Sequence, residues 1–175
     1  MNAQTTDTLD KHVRQAYEFF IKNDVWIAVG RSTPWPDEEN PPAPAFTSAA
    51  LDEIMGLVKP DPLKMAVPDP EGEIEMYAQR FRGLPLPTSL EDALDAGARW
   101  VYVAGWLMYD QFPVVTFRQE GVFSGVVLKG GVPPGITVLL PDQVQSYGIL
   151  EAITNREKIE RRDSQKNFVE FIIEF

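Results

Sequence analysis

The chain has 175 residues, no cysteine and a net charge of −10, and 44% of its residues are apolar. This length suits a single domain with a sizeable core, and the composition differs from that of a disordered chain. The absence of cysteine excludes disulfides and thiolate sites, and the acidic charge argues against non-specific binding to nucleic acid. No apolar run approaches about eighteen residues, so we expect no membrane insertion. The N-terminus has no secretory signal pattern, which argues against secretion by the usual route.

The N-terminal part predicts an amphipathic helix followed by a buried strand. Apolar residues recur there at the spacing of one helix face, and they are Val13, Ala16, Tyr17, Phe20 and Ile21. The next run, "DVWIAVGR", is rich in β-branched and aromatic residues, as strands are. We therefore expect an N-terminal helix within residues 1–24 and a β-rich domain over residues 25–175.

Residues 31–45, "RSTPWPDEENPPAPA", contain five prolines and three acidic residues. Proline fixes φ and lacks an N–H donor, so this segment is excluded from the centre of a sheet. We expect a stiff, acidic, extended arm in which Trp35 is the only large apolar side chain. Trp35 either anchors the arm to another protein or folds back and covers the core of its own domain.

The remaining sequence predicts mostly strands. The run "RWVYVAGWLMY" is nearly continuously apolar, while "VVTFRQEGVFSGVVL" and "NFVEFIIEF" alternate in part, and "KMAV" is also interpreted as a strand. The segment "EIEMYAQRF" fits a strand or a helix, and we favour the strand. Short helices are predicted at "SAALDEIMGL" and "SLEDALDAG". The fold class is therefore α+β: a single β-dominated domain with an antiparallel sheet or sandwich, an N-terminal amphipathic helix and a proline-rich arm.

The sequence contains no recognisable catalytic, metal-binding or cofactor-binding motif. His12 is the only histidine and cannot form a histidine-rich metal site by itself. The segment "GVVLKGG" lacks the spacing of a phosphate loop, and "VFSGV" lacks the first glycine of a nucleophile elbow. Three adjacent acids, Asp37, Glu38 and Glu39, are more typical of a solvated surface than of a cation site. We predict no catalytic residue, no metal and no cofactor.

Three sequence blocks, in this order, resemble the baseplate wedge proteins of contractile-tailed bacteriophages. They are "VWIAVGRSTPWPDEENPPAP", "FPVVTFRQEGVFSGV" and "YGILEAITNREKIERRDSQKNFVEFIIEF", and together they span most of residues 25–175. The chain looks like a shortened form of the small dimeric wedge component of that family.

The resemblance implies a structural virion protein, a tail baseplate wedge subunit that links its neighbours through extended arms and sheet edges. It also implies assembly in the host cytoplasm, other baseplate or tail proteins as partners, and a homodimer or higher oligomer in the virion. A connector elsewhere in the tail or neck is the alternative within the same virion.

Candidate residues follow from the arm and from a basic cluster near the C-terminus. The predicted partner-binding residues are Trp35, Pro36, Pro41, Pro42, Arg156, Arg161 and Arg162. Arg118 and Gln119 are predicted to be a structural hydrogen-bonding pair, since a guanidinium has five donors for nearby carbonyl groups.

Two hypotheses from other classes stay open at this point. A carbohydrate-binding β-sandwich would stack sugars on Trp35, Trp100 or Trp106. A tail-associated hydrolase would depend on a carboxylate pair that no sequence pattern marks.

Overall fold

The computed structural model describes residues 3–175 and contains two helices, a 3₁₀ turn and twelve strands within that range. The helices are α1 (Leu9–Phe20) and α2 (Leu90–Ala96). The strands are β1 (Trp26–Gly30), β2 (Gly56–Val58), β3 (Leu63–Pro68), β4 (Ile74–Met76), β5 (Gln79–Gly83), β6 (Trp100–Leu107), β7 (Thr116–Ser124), β8 (Val127–Leu128), β9 (Val138–Leu139), β10 (Val144–Ser146), β11 (Ile149–Glu160) and β12 (Asn167–Glu174). The predicted α+β, β-dominated, antiparallel class is confirmed.

The described chain forms two compact units. One contains the residues up to Lys22 together with Pro62–Val103 and Phe171–Phe175, and the other contains Asn23–Asp61 and Ala104–Glu170. The division between residues 1–24 and 25–175 expected from the sequence stays a prediction, and its first two residues lie outside the described range.

The first unit combines the two helices with a set of antiparallel strands. The sheet order is β12-β6-β3-β5-β4, so β4 lies at an edge. Helix α2 begins with a capping box, in which Ser89 and Asp92 satisfy each other's backbone N–H groups, and it ends at Gly97 with φ of 65°. These signals are local, which explains why the sequence predicts this helix correctly.

The apolar face of α1 differs slightly from the predicted one. Val13, Ala16 and Phe19 are the buried residues of the helix. Ile21, which was expected on the buried face, is the C-cap residue and is 59% exposed. The helix ends before Ile21, the last residue of the predicted apolar stripe, so the side chain of Ile21 is exposed to solvent.

The second unit is built around a five-stranded antiparallel sheet of order β11-β7-β1-β2-β9. Strand β1 lies between β2 and β7, and all five of its residues are buried. Its core consists of buried apolar side chains from the sheet and its loops, namely Trp26, Ala28, Leu51, Leu57, Phe123, Val126, Leu139 and Val144. Long strand β11 pairs with β7 on one side and forms an edge of the sheet.

Two sequence-based expectations need correction in this unit. The segment "SAALDEIMGL" forms no helix; its first part is irregular and its end enters β2. Residues 31–48, hereafter the proline-rich segment, contain no helix or strand, as the prolines predict. However, the segment does not leave the sheet as an extended arm, because side-chain contacts described below hold it against β7 and β11. Across residues 3–175, no helix has the length and apolar character needed to span a membrane.

Candidate interaction surface

Strand β7 carries three consecutive polar residues that are almost completely buried. Arg118, Gln119 and Glu120 are 3%, 5% and 4% exposed, respectively. Buried polar groups are unfavourable unless they are paired, so each of these residues requires a partner. Successive side chains of a strand point to opposite faces, so Arg118 and Glu120 lie on one face of the sheet and Gln119 lies on the other.

Arg118 fixes the acidic part of the proline-rich segment. Its Nε lies 2.9 Å and 3.0 Å from the two carboxylate oxygens of Glu38, and its Nη2 lies 2.6 Å from Oε1. Its Nη1 donates to the backbone carbonyl of Ser32. The bond from Arg118 is the largest of several effects that lower the pKa of Glu38. One buried guanidinium thus holds two points of the segment in place.

Gln119 connects two further loops to the strands. Its side-chain oxygen accepts a hydrogen bond from the backbone N–H of Asp52 at 2.7 Å, and its amide nitrogen donates to Oδ1 of Asn155 at 2.9 Å. Asn155 in turn donates to the carbonyl of Pro42 at 2.8 Å. This relay reaches the double proline, so Pro42 is attached through its backbone while its side chain is exposed.

Trp35 is buried within its own chain, with 7% of its surface exposed. Its indole N–H donates to the carbonyl of Arg156 on β11 at 2.9 Å. The guanidinium of Arg31 lies 3.7 Å from the centre of the ring, and Arg31 also pairs with Asp52 at 2.5 Å. Both the ring and its N–H therefore have partners in the same domain.

Glu120 and Arg156 form a second ion pair between β7 and β11, in which the Glu120 side chain is buried and that of Arg156 is partly exposed. Burial is the dominant influence on Glu120 and raises its pKa, while Arg156 acts in the opposite direction. Breaking the pair would leave the buried carboxylate of Glu120 without its cation, which is unfavourable. Arg156, predicted to bind a partner, contributes its guanidinium to Glu120 and its carbonyl to Trp35.

The other two predicted arginines occupy contrasting positions. Arg161 is 3% exposed and donates to the carbonyls of Leu107 at 2.7 Å and Met108 at 3.0 Å, as well as to Asn167 at 2.9 Å. It holds the loop after β6 in place and presents no free guanidinium at the surface. Arg162, the next residue, is exposed.

The outward side of the proline-rich segment contains a residue that the sequence analysis missed. Phe46 is completely exposed, with a relative accessibility of 105%. It borders an open cleft between Pro44 and the β11 residues Leu150 and Ile153. Pro36 is also exposed, and Pro41 is half-buried. A single phenylalanine among small residues gives no periodic signal, so only the structure distinguishes it from Trp35.

The tryptophans considered for sugar stacking offer little free ring surface. Trp35 is buried, and Trp100 is half-buried and packs 5.1 Å from Phe81. Trp106 is 43% exposed, but Phe168 lies 4.6 Å from its ring and the Lys166 ammonium lies 4.4 Å from it. Within residues 3–175, no group of three or more acidic or histidine side chains is arranged to hold a metal ion.

Comparison with known proteins agrees with a structural virion protein. Over 143 residues the chain is 30% identical to Virion protein 3 of Enterococcus phage phiEF24C, and the match covers 80% of this chain and 77% of that protein. The family model for the baseplate wedge 3 tail fiber network component matches residues 4–175. The predicted resemblance is thereby confirmed. The chain belongs to this baseplate wedge family and is a structural component of the bacteriophage baseplate, where it contacts other baseplate or tail proteins.

Proposed function

We propose that the chain is a connector of the baseplate wedge, and that the outward side of the proline-rich segment forms one of its contacts with a neighbouring protein. The observation that carries this proposal is the complete exposure of Phe46 on a segment whose other parts are fastened to β7 and β11. Phe46 takes the role of exposed anchor, which is one of the two alternatives that the sequence leaves open for Trp35.

The proline-rich segment is already held against the sheet in the free protein, and this supports a role in binding because little conformational entropy is left to lose. Trp35, Glu38 and Pro42 are each held by a hydrogen bond to the sheet or its side chains. A segment already fixed in one conformation loses little further entropy when a partner binds. Large apolar side chains supply much of the energy at such interfaces, and Phe46 is the one available on this segment.

Other exposed residues of the proline-rich segment complete the proposed surface. Pro36 and Pro42 add rigid apolar area, and the adjacent edge of β11 offers backbone groups to an extended segment of a partner. We assign Trp35, Pro41 and Arg156 to holding this surface in shape, and Arg161 to holding the loop after β6. Arg162, which is exposed, remains a proposed partner contact.

Further aspects of the role belong to the same proposal. We infer a purely structural, non-enzymatic protein that is assembled in the host cytoplasm into a homodimer or higher oligomer without binding nucleic acid. The family supports a structural role, and the net charge of −10 disfavours binding to phosphates.

Competitive incorporation tests the role of Phe46. A phage that lacks the gene for this chain would be complemented with equal amounts of wild-type protein and of the Phe46→Ala variant, and their ratio in purified particles measured by mass spectrometry. We expect at least about a ten-fold depletion of the variant, since truncating an interface anchor typically costs about 2 kcal/mol or more.

Two controls make the result specific. Phe46→Ala should unfold within about 0.5 kcal/mol of the wild type, because the side chain is fully exposed. Ile21→Ala truncates another exposed apolar side chain outside the segment and should be incorporated normally. Equal incorporation of Phe46→Ala and wild type would refute the proposed contact.

A further inference from the structure

The hairpin formed by β4 and β5 has an unusual turn. Met76 and Gln79 are paired, so only Tyr77 and Ala78 form the connection. Both residues have positive φ, 52° and 60° respectively. Two successive left-handed residues define the tight turn that matches the twist of a two-residue hairpin.

The residue types at this turn are unfavourable for its backbone conformation. Such turns strongly favour Asn-Gly or Asp-Gly, because glycine has no Cβ and asparagine tolerates the left-handed region. Tyrosine and alanine both place a Cβ close to the backbone in that conformation. Strained residues of this kind persist where the rest of the structure imposes them, and they are concentrated at functional sites.

The Tyr77 side chain does not explain the choice by packing in its own domain. It is 71% exposed, so most of its ring contacts solvent. The turn therefore combines a strained backbone with a large aromatic side chain that stabilises its own domain little. A contact between Tyr77 and another protein would explain why this unfavourable combination is kept, since proteins often lose some stability at functional positions.

The charges next to the turn indicate the kind of partner. Glu75 and Arg80 form an ion pair across the hairpin at 3.0 Å, and Asp69 pairs with Arg82 at 3.1 Å. Glu75 and Arg80 are the charged residues within residues 75–80, so the tip of the hairpin presents an aromatic ring without an excess of either charge. This surface suits an apolar pocket better than a charged surface or nucleic acid.

We propose that Tyr77 forms a second anchor of the connector and inserts into an apolar pocket on a neighbouring baseplate protein. That pocket surrounds the ring and supplies an acceptor for the phenol hydroxyl, as is common for tyrosine at interfaces. The inference rests on the proposed connector function, but it concerns a different segment from Phe46.

The test uses the competitive incorporation assay with four full-length variants. Tyr77→Ala removes the ring and should be depleted at least about ten-fold from particles. Tyr77→Phe removes only the hydroxyl and should be depleted several-fold. Ala78→Gly relaxes the turn but keeps the ring, and it should be incorporated like the wild type. The double variant Tyr77→Asn with Ala78→Gly installs the favoured turn and should be the most stable of the four, yet depleted like Tyr77→Ala.

The outcomes separate this contact from the one at Phe46. Depletion of both Tyr77 variants that lack the ring, with normal incorporation of Ala78→Gly, supports the anchor. Normal incorporation of the Asn-Gly double variant overturns it, because that variant folds but has no aromatic tip. When the Asn-Gly double variant is incorporated normally, the Phe46→Ala variant decides what has failed. Normal incorporation of Phe46→Ala as well would refute the connector function itself, whereas depletion of Phe46→Ala would refute only the contact at Tyr77.

Discussion

In the proline-rich segment and in the β4–β5 hairpin, the burial of the aromatic side chain does not follow from the regularity of the backbone. The segment contains no regular element, yet Trp35 within it is 7% exposed and bonded through its indole N–H. The hairpin is regular, yet Tyr77 at its turn is 71% exposed on a left-handed backbone. How firmly an aromatic side chain is held therefore depends on its own contacts and not on whether its segment has regular secondary structure.

The strongest test of this comparison is Trp35→Ala. We expect the variant to lose about 3–5 kcal/mol of unfolding free energy, because a buried ring is removed and the proline-rich segment loses its link to β11. Urea denaturation of the purified chain measures the loss.

A conservative change at the same position separates packing from hydrogen bonding. Trp35→Phe keeps an aromatic ring but removes the donor to Arg156, and it should lose less stability than Trp35→Ala. If Trp35→Ala instead unfolds like the wild type and fails only in particle assembly, Trp35 is an interface anchor after all.

The features that the sequence predicts well depend on neighbouring residues. The capping box of Ser89 and Asp92 marks α2 within four residues, and the apolar run that contains β6 marks a buried strand. The prolines likewise predict the lack of a central strand in residues 31–45. Each of these conclusions rests on the conformational limits of the residues themselves.

The features that the sequence misses depend on residues far apart in the chain. Trp35 finds its acceptor on Arg156, and Glu38 finds its cation on Arg118, 80 residues away. Such pairing has no local signature, so neither the burial of Trp35 nor the exposure of Phe46 could be predicted. The hairpin turn was missed for another reason: Tyr77 and Ala78 are not the residues by which such turns are recognised.

The next prediction concerns the acid dependence of the proline-rich segment. The pKa of Glu38 lies below its usual value of 4.5, chiefly because Arg118 hydrogen-bonds its ionised form. A lowered pKa means that this stabilisation is complete above about pH 4.5 and is lost as the pH falls through the pKa of the folded state. The stability advantage of the wild type over Glu38→Gln should therefore shrink as the pH falls below that range.

The comparison must be made between variants, because Glu120 acts in the opposite direction. Its pKa is raised by burial, so its protonation on acidification favours the folded state. Denaturation midpoints of wild type and Glu38→Gln over a pH series cancel this shared contribution. Glu39→Gln removes the same charge without removing a bond to Arg118, and it controls for net charge. A gap between wild type and Glu38→Gln that is independent of pH would contradict the assignment.

The smallest expected effect tests the other side of the comparison, the strain at the hairpin turn. Ala78→Gly should raise the unfolding free energy by about 1 kcal/mol, because glycine adopts positive φ without the steric penalty of a Cβ. Ala45→Gly is the matched control, since Ala45 is also exposed but its φ is not positive, and it should gain nothing. Thermal melting of the two variants against the wild type measures the difference. If Ala78→Gly melts no higher than Ala45→Gly, the backbone of the turn is not strained. Trp35 and Tyr77 would then differ only in the exposure of their side chains.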